Sequence, residues 1–95
     1  VLNVKEIYQE TVRTESSQSH MVLKKVYAFR DCCVNADYIV AAYPYHFSSS
    51  LDKDMLTGVA KLEDEFTRII LDGNSFRSSE MILALTYDEF RKLVV

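Results

Sequence analysis

Phe66-Thr67-Arg68-Ile69-Ile70-Leu71-Asp72-Gly73-Asn74 decides the fold class. Its first six residues include Phe, Thr and two Ile, types that fit a pleated, half-buried surface, so they predict a strand over 66–71. Asp72-Gly73-Asn74 follows at once. Gly and Asn accept positive φ, which is the chemistry of a hairpin turn. Ser75 to Leu85 then predicts the returning partner strand.

Downstream, Thr86-Tyr87-Asp88-Glu89 has the spacing of a capping box, in which Thr86 caps the Glu89 amide and the Glu89 side chain reaches back. Asp88 and Glu89 also suit the positive end of a helix. Phe90, Leu93 and Val94 supply the apolar stripe of a short C-terminal helix.

Upstream, Leu51, Met55, Leu56, Val59 and Leu62 fall on one side of a helical wheel and predict a short helix or structured insertion within 51–63. Gly58 weakens that helix by about 1 kcal/mol relative to Ala. His46 to Ser50 is a polar connection. Tyr38 to Tyr43 is almost wholly apolar, as in a central strand, and Pro44, which has no N–H, marks its end or edge. Asn35-Ala36-Asp37 is turn chemistry. Met21 to Val34 has apolar residues on both parities and predicts a strand buried on one face and partly covered on the other. Residues 4–14 fit two templates. Val4, Ile7, Tyr8, Thr11 and Val12 recur at helical spacing, with Asn3 and Glu6 placed for a capping box. The same Ile, Tyr, Thr and Val are strand formers. With the polar stretch 15–20 between two β-prone runs, a long hairpin with a mobile tip is the preferred reading.

The 95 residues suffice for one domain, 1–95, and leave no room for a second core. The apolar share of 48% and charged share of 26% are those of a globular chain. Six Tyr and five Phe provide a core without metal or disulfide, and Trp is absent. The net charge of −3 argues against a dedicated nucleic-acid coater, which neutralises phosphates with a basic surface. Cys32 and Cys33 are adjacent, a spacing that strains a mutual disulfide, so a reducing, cytoplasmic setting is expected. No run approaches the ~18 apolar residues of a spanning helix. No signal-peptide pattern opens the chain, and a start at Val1 leaves room for a processed or trimmed end.

Catalytic signatures are sparse. Two glycines, Gly58 and Gly73, make no phosphate-cradling loop. His20 and His46 lie far apart, and Cys32-Cys33 lacks the ligand spacing of a zinc site. Buried or half-buried thiols are the simpler reading. No cofactor, metal or small-molecule substrate is expected. Tyr38, Tyr43, Tyr45 and Phe47 read as core rings with outward hydroxyls rather than a base-stacking platform, because no basic cluster interleaves them. Lys24, Lys25, Arg30, Arg68 and Arg77 are the candidate nucleic-acid contacts. Ser16, Ser17, His20, His46 and Ser49, in the serine-rich connections, are candidate interaction-loop residues.

Val34-Asn35-Ala36-Asp37-Tyr38-Ile39, Thr67-Arg68-Ile69-Ile70-Leu71-Asp72-Gly73, Ser78-Ser79-Glu80 and Tyr87-Asp88-Glu89-Phe90 together form a pattern over roughly 29–93. It resembles the short FlbD-like proteins of flagellar gene clusters and the C-terminal half of LytTR-type DNA-binding domains. An insertion near 46–63 interrupts the likeness. The LytTR resemblance implies duplex DNA binding by a transcription regulator. Those domains carry Arg, His and Arg before the Val-Asn pair. In Tyr27-Ala28-Phe29-Arg30-Asp31 only Arg30 keeps that pattern, and Asp31 repels phosphate. The FlbD-like resemblance implies the fold and little chemistry.

The expected fold is mainly β (α+β): a small curled antiparallel sheet or barrel-like meander, with a short C-terminal helix packed on it. The expected function is a non-enzymatic assembly or protein-interaction module, self-associating through its β-edges or binding a protein partner, with no membrane role. The alternatives are a nucleic-acid-binding regulator and a viral or phage accessory protein that binds a host protein, which would act in the virion or host cytoplasm.

Overall fold

The computed structural model describes residues 1–15, 21–72 and 80–94. Among them the chain runs β1 (Leu2–Glu15), β2 (Met21–Val34), a 3-10 turn (Ala36–Tyr38), β3 (Ile39–Tyr45), α1 (Ser50–Met55), β4 (Phe66–Leu71), β5 (Glu80–Leu83) and α2 (Tyr87–Val94). The mainly β class with a C-terminal helix holds. The five strands form one antiparallel sheet in the order β2-β1-β5-β4-β3. The sheet is open, so the barrel-like meander is not formed: β1 pairs with its sequence neighbour β2 on one side and with β5 on the other, and β2 and β3 are left as unjoined edges.

Residues 4–14 are strand, not helix. The reason they mimic helical spacing lies in the layers. Directly opposed residues share a face. Glu6 opposes Leu83, which opposes Thr67, so Val4, Leu83, Thr67, Ile69 and Leu71 lie on one face. Val4, Val34, Ile69, Leu71 and Leu83 pack there with Phe90 of α2. Ile7, Tyr27 and Phe66 lie on the other face and pack with Phe47, Met55 and Leu56 from the β3–β4 connection. The sheet therefore sits between two coverings, α2 on one side and the α1 segment on the other. Each fully buried aliphatic side chain in these clusters contributes roughly 1.5–3 kcal/mol.

Local chemistry sets the element ends. The Asn35 side chain accepts from the Asp37 amide at 3.0 Å and starts the 3-10 turn. The capping box of α2 forms in both directions: Glu89 N–H to Thr86 Oγ1 at 3.2 Å and Thr86 N–H to Glu89 Oε1 at 2.9 Å. Ser49 caps α1 by accepting from Asp52 N–H at 3.0 Å. Gly58, at φ +79°, turns the chain out of α1.

Four expectations need correction. The short helix expected within 51–63 forms, as α1, but its expected apolar side is not uniformly buried: Leu51 stays exposed while Met55 and Leu56 are buried. Of the stripe expected on α2, Phe90 is buried but Leu93 and Val94 remain exposed, because the helix docks by its first turns. The segment containing Tyr38–Tyr43 is an edge strand rather than a central one, and Val40 is exposed on it. Its apolar run misled because small Ala41 and Ala42 sit where a central strand would carry larger side chains. β2 is likewise an edge strand, and Val22, Leu23 and Phe29 are exposed along it. The expected tip at 16–20 and the turn at 73–74 lie outside the described residues.

Candidate interaction edge

An open sheet has two edges, and here they differ. An unpaired edge presents N–H and C=O groups to any extended chain, and proteins blunt such edges with proline, bulges or charge. β3 has two of these devices. Pro44 offers no N–H, and the register with β4 shifts between Ile39 and Ala41. β2 has neither. It pairs with β1 residue for residue from Glu15↔Met21 to Leu2↔Val34 without a shift, and it contains no proline. Its outward backbone groups form a 14-residue row that no register shift interrupts.

The row extends beyond the body of the molecule. Among the described residues β5 meets β1 only at Glu6 and Ile7, so from Tyr8 onward β1 has β2 as its sole strand partner. Residues 8–15 and 21–28 thus form a two-stranded ribbon roughly 25 Å long at about 3.3 Å per residue. The molecule measures 53 × 30 × 20 Å. Leu23, at 66% exposure, and Lys24, Lys25 and Arg13 face solvent on the ribbon.

The root of the ribbon is held from both faces. On the α1 side, the buried Tyr27 ring lies 4.8 Å from Phe47 at 53°. The Tyr27 hydroxyl donates to Asp52 Oδ1 at 3.2 Å and accepts from Gln9 Nε2 at 3.3 Å. Burial pushes this hydroxyl's pKa up, Gln9 acts in the opposite sense, and the Asp52 carboxylate adds to the rise. On the opposite side, Arg30 Nε donates to Glu6 Oε1 at 2.6 Å, and its guanidinium lies 4.1 Å from the Tyr8 ring centroid. These contacts tie β2 to β1 and to the β3–β4 connection, and none of them uses the outer backbone groups of β2.

The cations named from sequence do not converge. Lys24 opposes Val12 and Lys25 opposes Thr11, so they project from opposite faces of the ribbon. Arg30 shares the face of Lys24 but is engaged by Glu6. Arg68 lies on the other face, opposed to Ile82, bonded to Glu80 and 5.6 Å from the Tyr43 ring centroid. Arg77 lies outside the described residues, as do Ser16, Ser17 and His20. His46 places Nδ1 3.1 Å from the Asp64 carbonyl oxygen and Nε2 3.9 Å from Glu65 Oε1. Ser49 is occupied as the cap of α1. His46 and Ser49 therefore fasten the β3–β4 connection to itself.

The aromatic run divides. Phe47 is buried at the centre of a cluster, with Tyr45 at 5.1 Å and Phe66 at 5.4 Å edge-on, while Tyr38 and Tyr43 are exposed. Cys32 is half-buried, and burial, followed by the Glu6 charge, raises its thiol pKa. Cys33 is exposed, and its thiol donates to Asn3 Oδ1 at 2.9 Å. Among the described residues no group of three or more His, Cys, Asp or Glu side chains is placed to hold a metal ion, and no helix is long and apolar enough to cross a membrane.

Two edge residues carried more than the sequence reading gave them. In the sequence both stand out only within Tyr27-Ala28-Phe29-Arg30-Asp31, Asp31 as a departure from a basic pattern and Phe29 as its near neighbour. Both are exposed on β2, and both share a face with Lys25. Their common odd parity was the available signal. Compared with family models, with curated proteins and with solved structures, the chain gives no match.

Proposed function

We propose that this chain is a non-enzymatic interaction module that associates through the outer edge of β2. One observation carries this reading: β3 is blunted by Pro44 and a register shift, whereas β2 is long, regular and open. Strand addition supplies affinity through main-chain hydrogen bonds and specificity through alternate side chains. Leu23 and Phe29, both exposed on the β2 edge strand, supply apolar surface for such a contact. The cations are dispersed, with Lys24 and Lys25 on opposite faces and Arg30 and Arg68 engaged by Glu6 and Glu80, which supports a protein partner over a nucleic acid. The free thiols Cys32 and Cys33 suit a reducing compartment, and we assign the chain to the cytoplasm on that basis.

The test is absolute mass by light scattering across protein concentration, at low salt and at 0.5 M salt. The reading expects a concentration-dependent oligomer that persists in salt, because main-chain bonds and apolar contacts are little screened. A monomer at every concentration overturns self-association.

A further inference from the structure

Resting on that edge-pairing reading, we infer that the partner is a second copy of this chain, joined β2 to β2 in one antiparallel register centred on Ala28, with Lys25 of each copy opposite the partner's Asp31. The argument begins with symmetry. A closed dimer of identical strands is isologous, so residue i meets residue j and residue j meets residue i. A two-fold axis perpendicular to the sheet keeps each face on its own side. Opposed residues share a face, so the axis must pass through a residue of β2 rather than between two residues.

Charge then discriminates among the centres from Lys24 to Asp31. Centres at Lys24, Lys25, Arg30 or Asp31 set a charge against its own copy. A centre at Tyr27 sets Lys24 against the partner's Arg30. Centres at Val26 and Phe29 oppose no charge to its complement. Ala28 alone sets Lys25 against the partner's Asp31, and by symmetry does so twice. Like charges directly opposed destabilise a ladder and opposite charges stabilise it.

The neighbours fit that register. Lys25 and Asp31 are exposed, and within its own chain Asp31 opposes Lys5. The joined sheet therefore reads Lys5, Asp31, the partner's Lys25 across one row, a carboxylate between two ammonium groups. On the same face Phe29, at 42% exposure, meets the partner's Tyr27. On the other face Ala28 meets its own copy at the axis, where a small side chain leaves room beside Tyr8 and Arg30. Arg30 opposes the partner's Val26 and keeps its bond to Glu6.

The experiment is a charge swap in the full chain, read as the dimer dissociation constant, with circular dichroism confirming that each variant folds. Lys25→Asp and Asp31→Lys each create two like-charge pairs and are expected to weaken the dimer about tenfold. The double variant restores both pairs in reverse and is expected to return within about threefold of the parent. A second measurement uses Ala28→Cys with Cys32→Ser and Cys33→Ser. Opposed residues at the axis have Cα atoms about 4.5–5.5 Å apart, within disulfide reach, so oxidation is expected to give a covalent dimer. A dimer that ignores the swap and does not cross-link at position 28 overturns this register while edge pairing stands. A parent chain that stays monomeric at all concentrations overturns both.

Discussion

Arg30 holds Glu6 at 2.6 Å across the β1–β2 ladder, and it reaches from an edge strand to a carboxylate that the sheet has largely buried. The Arg30 side chain is 56% exposed and that of Glu6 is 12% exposed, so the pair is asymmetric. Removing the arginine strands a carboxylate with little access to water. Arg30→Ala is therefore expected to lower the urea midpoint with an unchanged slope, whereas Lys24→Ala, at an exposed position of the same face with no ion pair among the described residues, leaves it within error. Equal effects would show that the pair is no more than a surface contact.

Thr67 is fully buried in β4 and donates from Oγ1 to the Leu85 carbonyl at 3.0 Å. That bond ties the sheet to the residue just before the α2 cap. Thr67→Val keeps the shape and deletes the donor, at an expected cost of about 1 kcal/mol in chemical denaturation. Thr67→Ala adds a cavity and is expected to cost more.

The capping box makes α2 sensitive to acid. The Thr86 backbone N–H, then the Thr86 hydroxyl, lowers the Glu89 pKa below its ordinary value. A depressed carboxylate stabilises the folded state above its unfolded pKa, about 4.3 for glutamate. That contribution is lost as pH falls through the lower folded value. Melting temperatures of the parent and of Glu89→Gln are expected to differ at pH 7 and to converge below about pH 4. A difference independent of pH would remove the carboxylate from the cap. Thr86→Ala is expected to cost ~1 kcal/mol at neutral pH.

The two thiols are chemically unequal although adjacent. Burial and the Glu6 charge raise the Cys32 thiol, and Cys33 is exposed. With limiting iodoacetamide at pH 8, Cys33 is expected to alkylate several-fold faster, read by peptide mass spectrometry, since the thiolate is the nucleophile. Faster modification of Cys32 would contradict the placement of β2.

Where local chemistry decides an element, the sequence is readable. Phe66–Leu71 forms the strand read from it, and Thr86 and Glu89 form the box their spacing requires. Where two layers compete for one strand, periodicity misleads. Val4 turns to α2 and Ile7 to the α1 side, so β1 changes its buried parity and shows a three-residue spacing that imitates a helix. Strand order is also beyond local reading, because β1 meets β5 from the far end of the chain. That order makes β2 and β3 the edges, and thereby makes the Lys25–Asp31 parity meaningful. The cations could be listed from composition, but their separation onto two faces follows from the register.

The narrow join between β1 and β5 gives the molecule a seam. Three ladders, β1 with β2, β3 with β4 and β4 with β5, each close over short or moderate stretches of chain, while the join brings together residues more than seventy positions apart at Glu6 and Ile7. Loop-closure entropy falls most heavily there. By that cost the local β1–β2 hairpin is expected to form before the seam closes, and native-state hydrogen exchange is expected to protect the seam amides no more than those of the hairpin root. A strand added along β2 loads the half of the sheet that lies across this seam from the C-terminal helix.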